Sequence, residues 1–219
     1  MRYRKVKYES GCGRVMERVA ICGVMASGKT HLAEVLVKEQ GFTKFSLATG
    51  VKVLARDVFL MKDKDRKLLQ QIGMYMRKIQ SKVWINLLMR RVAEHSNALK
   101  PEAHEIGAQW MAGGEAWVPP NPPHELRIVV DDCRFMNEVI AFKDAGYTLI
   151  RIHIDDALQI NRLKKTYGAK ADEHINNRKD DSEAEMSMIR DEYFDLVVHA
   201  ADDDTVAQQV KAYLSKPNA

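Results

Sequence analysis

The sequence has little of what marks secreted and membrane proteins. Its 219 residues include three cysteines, Cys12, Cys22 and Cys133, an odd number that argues for reduced thiols. No apolar run approaches the roughly 18 residues that a membrane span needs. The basic start, MRYRKVKY, is not followed by the apolar stretch of a secretory signal. We therefore predict a cytoplasmic protein with no membrane partner.

The ligand spacings of a zinc site are also missing. Structural zinc sites bring cysteine and histidine ligands together in closely spaced pairs. No such spacing is formed by His104, His124, His174 and Cys133, so we predict no zinc site.

An excess of charge of one sign is confined to the N-terminus. Residues 1–18 hold six basic and two acidic side chains, and this excess equals the formal charge of the whole chain, +4. The remainder is neutral overall, whereas nucleic-acid binding concentrates basic side chains on a folded surface. We expect residues 1–17 to form a basic, flexible arm and predict no nucleic-acid partner.

Short apolar strands alternate with helical patterns, without an internal repeat. Strands are predicted at 18–22, 42–47, 126–132, 147–154 and 194–200. Helices are predicted at 30–41, 50–61, about 65–95 (one long helix or a bent pair), about 137–146, 156–168 and 203–215, and a short helix is predicted between a charged connector at 169–182 and the strand at 194–200. Glycine and proline in 96–126 predict a loop or flap. The alternation predicts an α/β fold, a parallel sheet with helices on both faces.

The segment GVMASGKT, Gly23–Thr30, fits the phosphate-loop pattern G-x-x-x-x-G-K-[ST] between a predicted strand and a predicted helix. Its glycines let successive N–H groups point at phosphate oxygens, and the first helical turn adds more unpaired N–H groups. We expect Lys29 to reach the β- and γ-phosphates of ATP and the Thr30 hydroxyl to bind Mg²⁺. The predicted ATP-binding residues are Gly23, Ala26, Ser27, Gly28, Lys29, Thr30 and His31.

The use of the triphosphate depends on VVDDCRFMNEV, residues 129–139. This segment places Asp131 and Asp132 at the carboxyl end of a strand, where open α/β sheets bind ligands. A carboxylate near a phosphate loop commonly holds Mg²⁺ or its waters, and Arg134 can grip a second phosphate bidentately. The alternative is a strand-end turn in which an aspartate caps a helix, and it is stronger for Asp131 than for Asp132.

The same segment resembles the D-x-R-F-x-N-E signature of the deoxynucleoside monophosphate kinases of tailed bacteriophages, within the P-loop nucleoside monophosphate kinase group. The matching positions are Asp132, Arg134, Phe135, Asn137 and Glu138. LLQQIGMYMR at 68–77, followed by Trp84, resembles the family's Leu-Gln-x-x-Gly helix, and DSE at 181–183 resembles the segment after the lid. The similarity runs from about residue 18 to residue 215.

The resemblance implies phosphoryl transfer from ATP, with Mg²⁺, to a deoxynucleoside monophosphate, in the host cytoplasm if the chain is phage-encoded. It implies one P-loop kinase domain over 18–215, with an acceptor-side helical lobe at about 50–125 and a lid at about 167–183. The implied catalytic residues are Lys29, Asp132, Arg134 and Arg178, with Arg162 added to the ATP site. The implied acceptor residues are Arg77, Asp132, Arg134, Glu138, Tyr75 and Trp84, and the implied metal ligands are Thr30 and Asp132. The expected partners are small-molecule nucleotides, and a homodimer stays open.

Several alternatives stay open at this point. Trp84 packs in the core or stacks on a base, and an arginine of the lid closes over the transferred group or is a solvated charge. Gly73-Met74-Tyr75 and Thr49-Gly50 depart from the family's Gly-Thr-Glu and Asp-Pro, which puts base preference in doubt more than reaction type. The rival functions are another small-molecule P-loop kinase, acting for instance on dephospho-coenzyme A or shikimate, and a nucleotide-dependent binding or motor ATPase.

Overall fold

A parallel sheet forms the centre of the chain. The computed structural model describes residues 16–98, 126–176, 181–201 and 203–216. The strands are β1 (Met16–Cys22), β2 (Thr43–Phe45), β3 (Leu126–Cys133), β4 (Thr148–His153) and β5 (Leu196–His199). They lie in the order β2-β3-β1-β4-β5, and all four neighbouring pairs are parallel. The predicted parallel α/β sheet is therefore confirmed.

Helices connect the strands and follow the last one. They are α1 (Lys29–Gln40), α2 (Ala48–Asp57), α3 (Arg66–Ile79), α4 (Val83–Ala98), α5 (Met136–Asp144), α6 (Asp156–Tyr167), α7 (Ala171–Asn176), α8 (Asp181–Met188) and α9 (Asp203–Leu214). No helix among the described residues combines the length and apolar character needed to cross a membrane.

The helices cover both faces of the sheet because the side chains of each strand alternate between them. Val19 and Ile21 of β1 pack with apolar residues of α1 and α9 in one core cluster. Ala20 and Cys22 belong to the other cluster, which includes apolar residues of α2 to α5 and of α8. Helices on both faces leave the strand ends as the edges open to a ligand.

Local signals explain several helix ends. The Asp65 carboxylate accepts a hydrogen bond from the amide of Leu68 at 2.9 Å and begins α3, as an N-cap does. Gly41 ends α1 with φ 70°, a left-handed conformation that glycine adopts without strain. Gln80 has φ −144° and interrupts the helical pattern at 65–95, which is therefore two helices.

The segment after α6 differs from its predicted form. The charged sequence of 169–182 suggested an irregular connector, but a 3-10 turn at Gly168–Lys170 leads into α7; the short helix expected between this connector and β5 is α8, which begins at Asp181. Local i to i+4 bonding satisfies the backbone of a polar segment without requiring an apolar face, so hydrophobic periodicity gives no warning of such helices. Residues 1–15 of the predicted arm, 99–125 of the predicted loop and Arg178 lie outside the described residues.

Candidate active site

The loop Gly23–Thr30 turns sharply between β1 and α1. Gly23 has φ 152°, Gly28 has φ 103°, and Ala26 is a non-glycine residue with φ 61°. A Cβ atom on Gly23 would lie 2.7 Å from the carbonyl oxygen of Ile152, so the first glycine of the motif is required by close packing as well as by backbone conformation. The loop thus has the tight curvature that turns backbone amides toward an anion.

A cleft opens beside this loop, above the carboxyl ends of β1 and β3. Its volume is about 1200 Å³. Its lining includes seven basic side chains, Lys29, Lys44, Lys52, Lys64, Arg134, Arg162 and Lys165. The acidic side chains of the lining are Asp131 and Asp132. A cleft with this charge concentrates anions, and its size accommodates a triphosphate together with a second small molecule.

The chain has the α/β P-loop NTPase fold. The sheet order, the strand–loop–helix context of Gly23–Thr30 and the cleft at the carboxyl edge together establish this assignment. β1 leads to α1 on one face of the sheet and the neighbouring β3 leads to α5 on the other face, so the two connections diverge at the cleft.

Lys29 is held against its own loop. Its ammonium group donates a 2.6 Å hydrogen bond to the carbonyl oxygen of Val24, and the residue is only 7% exposed. The pKa of Lys29 is lowered to about 8, chiefly by burial and also by the positive charge of Arg134, while the carboxylates of Glu183 and Asp131 act in the opposite direction. The amine is thus placed at the loop and is easier to deprotonate than an ordinary lysine.

The two adjacent aspartates of β3 have different contacts. Asp131 pairs with the ammonium group of Lys44 on β2 at 2.6 Å. Asp132 accepts hydrogen bonds from the start of α2: from the Ser46 hydroxyl at 2.7 Å and from the amides of Leu47 and Ala48 at 2.9 and 2.8 Å. Both carboxylates line the cleft, but Asp132 is chiefly engaged in capping a helix.

An irregularity in the sheet explains this divergence. Ala20 of β1 pairs with Val130, and Cys22 pairs with Cys133, so β3 has one residue more than β1 between these pairs. The additional residue falls within the Asp131–Asp132 doublet and interrupts the alternation of faces. Such bulges re-aim side chains and are frequent beside active sites.

Arg134 and Glu138 follow β3 and occupy connected positions. Glu138 is 1% exposed, and its carboxylate accepts hydrogen bonds from the amides of Arg134 and Phe135 at 2.8 and 3.1 Å. Burial raises the pKa of Glu138 against the opposing effect of these amides and of Arg77. Glu138 lies outside the cleft lining and shapes the turn from which Arg134 enters it.

The other predicted acceptor residues lie outside the cleft lining. Arg77 pairs with Glu138 at 3.2 Å, and its guanidinium carbon lies 4.3 Å from the centre of the Phe135 ring. Trp84 is 4% exposed, lies in the core and donates its indole N–H to the carbonyl of Gly73. Tyr75 is 55% exposed and contacts Lys78. Of the predicted acceptor set, only Asp132 and Arg134 line the cleft, and acceptor roles for the remaining residues stay predictions.

Side chains of α6 hold the outer turn of the phosphate loop. Nη1 of Arg162 donates to the carbonyl of Ala26 at 3.2 Å, and the Gln159 amide donates to the carbonyl of Met25 at 2.8 Å. Arg162 therefore reaches the predicted ATP site and lines the cleft together with Ala26, Gly28, Lys29, Thr30 and His31, whereas the predicted Gly23 and Ser27 lie outside the cleft lining.

Sequence reasoning missed several residues of the cleft. The basic residues Lys44, Lys52, Lys64 and Lys165 carry no motif, and their spacing along the chain is irregular. Glu183, outside the cleft lining, was missed too: it is 3% exposed and accepts hydrogen bonds from the amide of Met25 at 2.6 Å and from Nη1 of Arg134 at 3.0 Å. The DSE segment at 181–183 was the signal available for Glu183, although it assigned no role.

The residues present fit a magnesium ion that is held largely through phosphates. The described residues contain no group of three or more histidine, cysteine or acidic side chains able to form a cage. Mg²⁺ usually retains waters and binds one or two carboxylates together with substrate phosphates. Thr30, Asp131 and Asp132 all line the cleft and supply one hydroxyl and two carboxylates of the required hard-oxygen type.

Comparisons with known proteins add the following. Protein-family models give no match, and curated protein sequences give none. Among solved structures, the chain is similar to shikimate kinase from Bacteroides thetaiotaomicron, with 13% identity, TM-score 0.47, and coverage of 92% of this chain and 99% of that one. It is similar to dephospho-CoA kinase from Campylobacter jejuni, with 16% identity, TM-score 0.40, and coverage of 90% and 95%. A third similar structure, an uncharacterized protein from Eubacterium ventriosum, has 14% identity, TM-score 0.49, and coverage of 91% and 98%. The fold assignment rests on the chain's own sheet and loop.

Proposed function

We propose that the protein is an ATP-dependent kinase that phosphorylates a deoxynucleoside monophosphate to the diphosphate. The observation that carries the proposal is the basic cleft that the phosphate loop shares with Arg134 and Lys44. Phosphoryl transfer requires two anionic groups to be brought into line and their charge to be screened, and it needs little covalent chemistry from the protein. A cleft that holds Lys29, Arg134, Lys44 and Lys52 in one lining offers positive charge to both groups.

The donor would lie along the phosphate loop. The amides of the loop and the first turn of α1 would bind the phosphates, and Lys29 would exchange its bond to Val24 for one to a phosphate oxygen. Arg162 reaches the same loop through Ala26. Mg²⁺ would be held by Thr30, by phosphate oxygens and by a carboxylate of the Asp131–Asp132 doublet, and when bound it neutralises charge on the phosphates.

The acceptor phosphate would lie in the same cleft, next to the donor's terminal phosphate. Arg134 and Asp132 match the family signature, and Lys44 and Lys52 contribute further basic groups from β2 and α2. A nucleoside monophosphate carries nearly two negative charges at neutral pH, and an arginine can bind two of its oxygens at once. The basic side chains of the lining thus offer positive charge to the negatively charged phosphate of the acceptor.

The segment after β4 would exclude water during transfer. Tyr167 lines the cleft, and its ring stacks on His174 of α7 with centroids 3.6 Å apart. Nη1 of Arg66 on α3 lies 2.8 Å from Nδ1 of His174, so this segment contacts the helical lobe across the cleft. Water exclusion favours transfer to the acceptor over hydrolysis of ATP. Arg178 is our further candidate for a lid arginine.

A kinase of another small molecule is the second candidate. The observation in its favour is that Arg77 and Trp84, which match the family's acceptor-side helix, are engaged with Glu138 and Gly73 rather than lining the cleft. A phosphorylated or carboxylated acceptor such as dephospho-coenzyme A or shikimate would also meet the basic wall around Lys44 and Lys52. We rank it second because the Asp132–Glu138 signature is the more specific feature.

A panel of acceptors with Mg·ATP tests the proposal. It contains the four common dNMPs, the four NMPs, dephospho-coenzyme A and shikimate, with ADP formation and labelled product as the readouts. We expect turnover with at least one dNMP, and loss of turnover in Lys29→Ala shows that it belongs to this site. Turnover confined to dephospho-coenzyme A or shikimate would overturn the dNMP proposal. ATPase activity stimulated by nucleic acid without any acceptor turnover would indicate the motor class instead.

A further inference from the structure

Glu183 joins the phosphate loop to Arg134 from beneath the cleft. One oxygen of its carboxylate accepts the amide of Met25 at 2.6 Å, and the other accepts Nη1 of Arg134 at 3.0 Å. The residue is 3% exposed, so a carboxylate that is costly to bury is compensated by these two donors. The positions of the loop and of Arg134 are therefore linked through one side chain.

The contact lies at the end of the loop that also engages Lys29. The peptide group between Val24 and Met25 has its carbonyl bound to Nζ of Lys29 and its N–H bound to Glu183. Lysines of phosphate loops reach the β- and γ-phosphates. Glu183 thus lies near the end where the terminal phosphate of ATP would lie, on the proposed function.

The helix that carries Glu183 is firmly anchored. Met186 is 1% exposed, and both it and Ile189 belong to the core cluster on the α5 side of the sheet. The Glu185 carboxylate accepts the amide of Met136, the first residue of α5, at 2.8 Å. With α8 fixed in this way, the carboxylate of Glu183 is a fixed partner for the Arg134 side chain.

We propose that Glu183 is a positioning residue for phosphoryl transfer, which directs Arg134 toward the place where the terminal phosphate of ATP meets the acceptor phosphate while holding the Met25 end of the loop. A guanidinium has five N–H donors in a rigid plane, so fixing Nη1 orients the others. The Arg134 side chain lines the cleft and is 35% exposed, which leaves part of that plane open to a ligand. The inference rests on the proposed kinase function.

A double-mutant cycle tests the link between the two residues. Glu183→Gln keeps the shape and one acceptor but removes the charge, and we expect kcat to fall by roughly 10- to 100-fold because Arg134 loses its orientation. In an Arg134→Ala background the same substitution should change kcat by less than about twofold, since coupled residues are not additive. Equal losses in the two backgrounds, or no loss in either, would overturn the inference.

Glu185→Gln is the matched control. It alters a carboxylate two residues away on the same helix, also bonded to a backbone amide, but without contact to the loop or to Arg134. We expect its kcat to match that of the wild type. If Glu185→Gln lowers kcat as much as Glu183→Gln does, a general disturbance of α8 explains both losses, and the proposed role is refuted.

Nucleotide binding separates this inference from the proposed function, because it needs no acceptor. If Glu183 orients Arg134 toward the terminal phosphate, Glu183→Gln should weaken ATP binding by about threefold or more. ADP lacks that phosphate, so its Kd should change by less than about twofold. Titration calorimetry with both nucleotides measures this split. If every acceptor fails, the kinase proposal fails, yet this comparison still decides the role of Glu183.

A purely structural role predicts a different binding result. It would weaken ATP and ADP in similar proportion, and that outcome would overturn the inference. Thermal unfolding of each variant shows that the compared proteins are folded. Should Glu183→Gln be unfolded, Glu183→Asp, which retains the charge on a shorter side chain, replaces it in the double-mutant cycle. We expect the same loss of kcat and the same dependence of that loss on Arg134.

Discussion

The ammonium group of Lys29 donates a 2.6 Å hydrogen bond to the carbonyl oxygen of Val24, five residues earlier in the same loop. The bond closes the loop on itself and satisfies a buried cation. ATP would replace a neutral acceptor with an anionic one, so the lysine needs only a small displacement to change partners. Ordering of the loop before the ligand arrives lowers the conformational cost of binding.

Substitution of this lysine should abolish most activity. We expect Lys29→Ala to lower kcat by roughly 10²-fold or more, since it removes a preorganised charge from the transferred phosphate. Lys38→Ala is the control, because Lys38 lies exposed in the last turn of the same helix. Steady-state kinetics measure both variants. Comparable losses in the two would show that helix charge in general, and not the loop position, is responsible.

The same group should set an alkaline limit on ATP capture. Since the pKa of Lys29 is lowered to about 8 and the charged form binds phosphate, we expect kcat/KM for ATP to decline as pH rises through that value. Stability depends on pH in the opposite direction. The lysine of the unfolded chain keeps its proton up to about pH 10.5, so the contribution of Lys29 to the free energy of unfolding increases as pH rises from about 8 to 10.5.

A pH profile of kcat/KM at saturating acceptor measures the limit. Lys29→Arg keeps a charge that does not titrate below pH 10, so its profile should stay level where that of the wild type declines, at whatever lower rate it retains. An identical alkaline decline in this variant would assign the limit to another group.

The phosphate loop and the strands could be predicted because their signals are local. A contiguous motif identifies Gly23–Thr30, and runs of apolar residues identify strands such as β1 and β4. The bulge at Asp131–Asp132 could not be predicted, since it arises from the register between β1 and β3. From the sequence, the capping alternative is stronger for Asp131 than for Asp132, whereas in the structure Asp131 pairs with Lys44 and Asp132 caps α2.

The contacts of the predicted acceptor residues and of Glu183 could not be predicted either, because they depend on how helices pack. Arg77 and Trp84 lie on helices whose rotation against the sheet decides which face meets the cleft, and periodicity identifies an apolar face without saying what it contacts. Glu183 meets Met25 across 158 residues of sequence. Such contacts depend on the packing of α8 against α5, which no local pattern encodes.

The two aspartates can be separated by substitution. We expect Asp131→Asn to raise the Mg²⁺ concentration for half-maximal activity by about tenfold, because it removes the carboxylate that is not committed to helix amides. Asp132→Asn should instead chiefly lower stability, by about 1 kcal/mol, since α2 loses a charged cap. Magnesium titrations and urea unfolding measure the two effects. The reverse pattern would place the metal on Asp132, as the family resemblance implies.

The acceptor site can be located by comparing two arginines. Arg134→Ala should raise the KM of the acceptor by about tenfold or more, because it removes a charge-assisted contact inside the cleft. Arg77→Ala should leave that KM within about twofold of the wild-type value but lower the free energy of unfolding, since it deprives the buried carboxylate of Glu138 of an ion-pair partner. Acceptor kinetics and urea unfolding test both variants. A KM effect from Arg77 that equals the effect from Arg134 would move the acceptor toward α3 and contradict the cleft as its binding place.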